Sequence, residues 1–519
     1  MRTDAILILI TVGVLGLALP AAAATIPVTT TNPAVAADGQ CSLIEAVMNA
    51  NTDTANNADC PAGSGADTIE LASSATYVFD DYFVDYYGPT ALPVITTEIT
   101  FEGRDSTINR AAAAPAFRLM VVNDSGKLSV RDLTLEGGDS GPTYCGGALL
   151  NAFGSADLTR TTVTGSTAPS GGGICNSSGP MTLTNCVLTL NTARDGQGGG
   201  LLSIDDVGTP TLVVDQTSVT NNSAVFSGGI GANDTEVTIT DSTISGNQAY
   251  SADGYAFCGG LGFASGVAEI HRSTISDNTA QSLADLSGFG GGVCVSDNRT
   301  TISNSTISGN EALGATTTGS ATTGRGGGII ALGGAWGVPP SVDTLVVVED
   351  STICDNTAET YGGGISANRF AGDMAVTVEL RNTIVADNYE GGGSVLGNCM
   401  EESPAVVASF DFNLADDATC NLIGTDDLVV ADVMLAPLAD HGGPTWTHLP
   451  ETGSPAIDSG DDGMCQAIDQ HGNIRPWDGD GNGSVHCDRG AVELSAPYFH
   501  NGFETGDTGG WDQTNPPLP

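Results

Sequence analysis

Between residues 128 and 398, β-branched and other apolar residues alternate with small polar ones in short runs, as in Thr243-Ile244-Ser245 and Val378-Glu379-Leu380. That is the period of a strand with one buried face. The runs sit inside a returning phrase, Ser-Thr-Ile-Ser-Gly-Asn, followed by a variable loop and Gly-Gly-Gly-Ile. Its clearest copies are 242–247, 273–278, 305–310 and 351–356. Weaker copies end at Asn191, Asn222 and Asn388, and Ser166 holds the same column earlier in the chain. Glycine runs include 171–173, 198–200, 290–292, 326–328 and 362–364. The asparagines stand roughly 25 to 32 residues apart with one interval of about 46, which is repeat-protein spacing. No segment between them carries helical periodicity long enough for a crossover helix. Units of short strands and turns must then stack on themselves, and the expected fold is all-β, a right-handed parallel β-helix.

Successive coils of such a solenoid lie about 4.8 Å apart. Asn191, Asn222, Asn247, Asn278, Asn310, Asn356 and Asn388 are therefore expected to form a ladder. Each amide donates to one neighbouring coil and accepts from the other, and asparagine also tolerates a left-handed corner. Repeated residues mark scaffold, so function is expected where the repeat is broken.

Composition agrees with a thin core: 519 residues include 70 glycines and only 5% aromatics. The formal charge of -46, with Lys127 the sole lysine, disfavours nucleic acid, anionic lipid and polyanionic sugar as partners. Divalent cations and neutral ligands fit it, as does a role in solubility. An apolar run at 6–19 followed by Ala22-Ala23-Ala24 reads as an export signal over 1–24. No second apolar run comes later, so no transmembrane span is expected in the mature chain. The 12 cysteines of an exported chain point to disulfides. Cys41 with Cys60, Cys399 with Cys420, and Cys465 with Cys487 are the pairs expected first, being close in sequence and outside the regular repeats. The other six remain open, and the absence of Cys-x-x-Cys argues against a cysteine metal site.

Cys41-Ser42-Leu43-Ile44-Glu45-Ala46, followed by Asp59-Cys60-Pro61 and 65–69, resembles the CSLREA motif that opens many secreted bacterial β-helix proteins, with Ile44 replacing its arginine. Leu43 and Val47 fall on one helical face, so residues 25–69 are expected to cap the first coil with a short helix, with Glu45 structural. The β-helix then spans 70–413. Residues 435–438, 441–445, 453–458, 469–476 and 487–493 resemble the C-terminal segment of the same proteins, giving an irregular region of coils and cap over 414–495. The tail, 496–519, resembles a short ending of exported bacterial proteins and implies sorting or attachment. The repeats are similar to those of polymorphic outer-membrane adhesins, yet too few residues come after Glu493 for an autotransporter barrel. The resemblance implies a bacterial secreted or cell-surface protein.

Candidate chemistry is sparse. Asp478, Asp480 and Asn482 alternate and precede Gly483, like the first half of a calcium loop, with Asp488 available as a further carboxylate. Tyr82 and Tyr86, in a cluster with Tyr77, Phe83 and Tyr87, are candidates for stacking on sugar, and Trp336 is another contact candidate in a projecting loop. Loops at 250–257, 280–289, 313–325 and 332–342 should leave one edge of the solenoid. Asp277, Asp355 and Asp387 could form an outward ladder near Arg272 and Arg381, but they recur at scaffold positions. His271, His441, His448 and His471 match no nucleophile motif. The reading is a non-catalytic exported protein for adhesion or binding of an extracellular glycan or cell-surface component. A polysaccharide lyase or glycoside hydrolase is the alternative.

Overall fold

The computed structural model describes residues 23–205, 210–283, 287–314, 324–334, 342–369 and 374–494. The export signal is nearly all outside these residues, as are Trp336 and the 496–519 tail.

The fold is a parallel β-helix. One coil runs through Ile174–Ser177, Met181–Thr184, Val187–Thr189 and Thr192–Ala193. The next repeats it through Leu201–Ile204, Thr211–Asp215, Ser218–Thr220 and Ser223–Ala224. Pairing is parallel and in register, Ile174 beside Leu201, Leu183 beside Val214, Leu188 beside Val219 and Thr192 beside Ser223. The alternation read from sequence places Leu183, Leu188, Val214, Val219, Ile239 and Ile244 in one continuous, fully buried core. Burying each such side chain is worth about 1.5–3 kcal/mol.

The asparagine ladder is present. Asn247 donates from its backbone N–H and from Nδ2 to Asn278 Oδ1, both at 3.0 Å, and from Nδ2 to the Val219 carbonyl at 2.8 Å. Ser166 receives the same treatment, its N–H donating to Asn191 Oδ1 at 3.0 Å. The ladder continues one step beyond Asn388 to Asn398, which ends on the Asp416 carboxylate at 2.6 Å. A second ladder runs beside it: the serine that opens each phrase accepts from the preceding coil, Thr217 N–H to Ser242 Oγ, Ser242 to Ser273, and Ser273 to Ser305, at 3.0–3.1 Å. The glycine runs are required for two reasons. Gly290 has φ +67°, and a Cβ on Gly291 would enter the backbone of Glu311 and of Gly327.

At the N-terminus, Leu43–Thr52 is a helix opened by a complete Ser42/Glu45 capping box. Glu45 Oε2 accepts from Ser42 N–H and Oε1 from Ala36 N–H, both at 3.0 Å, which gives this buried carboxylate a structural role. The helix packs on Thr25–Pro27, Asp67–Glu70 and Glu98–Arg110, and Leu43, Ala46, Val47 and Ala50 join the core of the first coils. The three expected disulfides are formed, together with Cys145–Cys175 and Cys258–Cys294. Cys186 and Cys354 are free and buried. Five disulfides fit an oxidising, extracellular compartment. Among the described residues no helix is long and apolar enough to cross a membrane.

The stack proper ends at Leu428–Val429. Beyond that point the described residues add no coils; they turn back and strap along the outer face of the third strands. The outward residues of Thr243–Ser245 are half-buried, whereas those of Thr274–Ser276, Thr306–Ser308, Thr352–Cys354 and Ile384–Ala386 are buried beneath this strap. Gln470 is its central fastener: Nε2 donates to Thr274 Oγ1 at 3.0 Å and Thr445 Oγ1 at 2.8 Å, and Oε1 accepts from Thr306 Oγ1 at 2.7 Å. Further along, Arg475 lies fully buried between Asp350 at 3.4 Å and Glu493 at 3.5 Å, and donates to the Gly490 carbonyl at 2.7 Å.

Candidate functional site

Where the strap meets the coils it leaves a cleft of about 470 Å³, lined by Asn185, Gln216, Asp241 and Arg272 on one side and Pro444, His471 and Gly472 on the other. The first four occupy one corner in successive coils, between the second and third strands. Each has a left-handed backbone, with φ of 54°, 46°, 49° and 46°. Each backbone N–H is satisfied by the next coil: Asn185 to Asp215 O, Gln216 to Thr240 O, Asp241 to His271 O and Arg272 to Ser303 O, at 3.0–3.1 Å. The corner therefore projects a rising column of polar side chains about 4.8 Å apart. The facing wall is held in place by Thr445, whose hydroxyl donates to the Arg272 carbonyl at 3.2 Å.

Arg272 and Asp241 form a bidentate pair, Nε to Oδ1 at 2.8 Å and a second guanidinium nitrogen to Oδ2 at 2.9 Å. This hydrogen bonding raises the Arg272 pKa, so the guanidinium stays charged and is unsuited to removing a proton. Beside it, the Asp215 carboxyl is raised, first by burial and then by the Asp241 charge. His471 is lowered, chiefly by burial, and its Nε2 lies 2.8 Å from Thr447 Oγ1. It therefore faces the cleft as a neutral ring at pH 7. A smaller hollow of about 280 Å³ adjoins on the far side of His471, lined also by His441 and Glu493.

The sequence-derived candidates distribute differently. Tyr82 and Tyr86 are exposed, 45% and 80%, on the irregular N-terminal coils, away from the cleft lining. Tyr77 belongs to the core, its hydroxyl accepting from Ala72 N–H. Asp277, Asp355 and Asp387 have φ of 56°, 60° and 52°, in a column that elsewhere holds Asn221, Gly246 and Gly309, so conformation explains their recurrence. Arg381 is engaged by Glu379 at 2.7 Å.

Two histidines do meet serines, His271 with Ser303 at 2.7 Å and His448 with Ser308 at 2.8 Å, but both hydroxyls are buried.

In the acidic loop, Asp478 and Asp480 come together with Asp458, one carboxylate oxygen of each lying within 4.8 Å of the others. Asp488 is not in that cluster. Its oxygens accept from Asp458 N–H at 2.7 Å and Leu494 N–H at 2.6 Å, and burial pushes its pKa up to about 7. Asn482 turns inward on the loop, accepting from Ser484 N–H at 2.7 Å and donating to Asp480 at 2.8 Å.

An aromatic column also runs along the solenoid: Phe226, Phe257 and Phe289 stack on one edge, with the last two ring centroids 4.9 Å apart. Its sequence signal is positional, since these residues, like Gln197, Arg325 and Tyr361, stand just before the glycine runs. The Phe257 and Phe289 faces are turned to one another, and Phe226 meets Phe257 at a tilt, 5.9 Å away, so the rings pack chiefly on each other.

The crystal structure of pectate lyase Pel9A is similar to this chain with a TM-score of 0.38 and 13% identity, over 83% of this chain and 88% of that chain. No family model and no curated protein sequence matches.

Proposed function

We propose that this is an exported extracellular β-helix protein that binds a neutral glycan in the strap cleft, as an adhesion or matrix-binding module. The observation that carries this reading is the corner column of Asn185, Gln216, Asp241 and Arg272 facing Pro444 and His471. Amides, a carboxylate and a guanidinium give paired donors and acceptors suited to vicinal hydroxyls, and the proline and imidazole offer flat surfaces to a sugar ring. The Arg272–Asp241 pair leaves no net charge between its two members, while the charge of -46 repels acidic sugars. The likeness of 41–46 to the opening motif of secreted bacterial β-helix proteins supports export. Calcium belongs to the same reading, with Asp458, Asp478 and Asp480 as its ligands.

Calorimetry against neutral and acidic oligosaccharides, with and without calcium, tests this. A neutral chain is expected to bind, and Arg272→Ala to weaken it about tenfold or more, corresponding to the loss of about 1.4 kcal/mol. Absence of any glycan binding, or full binding by Arg272→Ala, would sink the cleft assignment; a missing thermal shift with calcium would remove the cation. The catalytic alternative rests on two neighbouring carboxyls, Asp215 and Asp241, the first with its pKa raised by burial and by the charge of the second. Release of reducing or unsaturated ends that stops in Asp215→Asn would favour it.

A further inference from the structure

We infer that Cys354, Asp355 and His448 form a site for a borderline divalent metal such as zinc, which pins the C-terminal strap to the coils. Cys354 and Asp355 come from a coil and His448 from the strap, so the cluster exists only when the two are docked. One ligand atom from each lies within 4.8 Å of the other two, and His448 Nε2 is 3.9 Å from Asp355 Oδ2. Zinc bonds of about 2.0–2.3 Å set tetrahedral donors somewhat closer than this, about 3.3–3.8 Å apart. Closing that gap asks for a small rotation, and Asp355, with 52% of its side chain exposed, is free to make it.

The imidazole is already oriented. His448 Nδ1 lies 2.8 Å from the Ala436 carbonyl and donates to it, so Nε2 carries the lone pair and points at Ser308 Oγ, 2.8 Å away. A backbone acceptor on the far ring nitrogen is the arrangement that fixes ligating histidines. In the register of the third strands, Ser276, Ser308 and Cys354 come one after another beneath the strap. The serine hydroxyls have side-chain partners, Ser276 with Ser245 at 3.1 Å and Ser308 with His448. The Cys354 thiol is buried and free of any disulfide, and its hydrogen bond is to the Asp355 backbone.

Charge points the same way. The carboxylates of Asp355, Asp387 and Asp416 gather negative charge beside Cys354, which a divalent cation would offset. The metal would take the place of the Ser308 hydroxyl proton on His448 Nε2, a water would complete the coordination, and Asp355, the exposed member, gives the route of entry.

The test uses the full chain, stripped with chelator and titrated with cobalt(II). One equivalent is expected to give a near-ultraviolet thiolate-to-cobalt band that zinc displaces and calcium does not. Cys354→Ser repeats the serine of the two preceding coils and should keep the fold, yet lose the band and bind zinc about tenfold or more weakly. At one zinc concentration the melting temperature of the parent protein should also rise by more than that of Cys354→Ser. No band, a band that persists in Cys354→Ser, or a band lost instead in Cys186→Ser would each overturn the assignment.

Discussion

Gly291→Ala is expected to prevent soluble folding or to lower stability by more than about 4 kcal/mol, the range of severe backbone and packing defects. A Cβ there would lie 2.5 Å from the Gly327 carbonyl oxygen and 2.7 Å from the Glu311 carbonyl carbon. Both are backbone atoms of neighbouring turns, so neither moves without opening the stack. Gly463→Ala is the comparison, since its Cβ would meet only the Asp461 carboxylate at 3.2 Å. That change should stay within about 0.5 kcal/mol. Urea denaturation and soluble yield distinguish the two.

Arg475→Met is expected to cost about 3–5 kcal/mol at pH 8, because it strands two buried carboxylates, Asp350 and Glu493, without their cation. The loss should appear first as proteolysis of the strap, and it should shrink in acid, where both carboxyls take up protons. The parent strap has the same sense of pH dependence. Burial raises Asp350 and Glu493, and holds Asp488 at about 7 against an ordinary 3.8. Between those values the folded chain keeps a proton that the unfolded chain releases. The contribution of Asp488 is thus complete below about pH 4 and is lost as pH rises through about 7, with a slope of at most about 1.4 kcal/mol per pH unit. Strap proteolysis should be slower at pH 5 than at pH 8; the reverse order would refute this assignment of buried protons.

The coils were legible because repetition turns a local pattern into a three-dimensional one: once Asn247 and Asn278 are seen as one column, their hydrogen bond is implied. The helix at 43–52 was readable from its capping residues, and three disulfides from sequence proximity. The strap was not, because Gln470, Arg475 and His448 find their partners more than 100 residues away and show no period. The cleft stayed hidden for the same reason. Its corner column differs in residue type from coil to coil, and only the shared positive φ reveals it. Asp478 and Asp480 of the calcium-like motif lie together, but linear spacing could not show that Asp458, and not Asp488, sits beside them. Likewise the absence of Cys-x-x-Cys said nothing about a cysteine and a histidine brought together by docking.

All of these placements depend on coils stacking in one register. Glu236 and Val267 are outward neighbours in adjacent coils, and Glu269 stands two residues further along the same strand. In-register positions are about 4.8 Å apart, while the offset pair is separated by about 8 Å, beyond the reach of a disulfide. Mild oxidation of the double variant Glu236→Cys/Val267→Cys should give an intramolecular disulfide, and Glu236→Cys/Glu269→Cys should not; efficient bridging of the second pair and not the first would contradict the account.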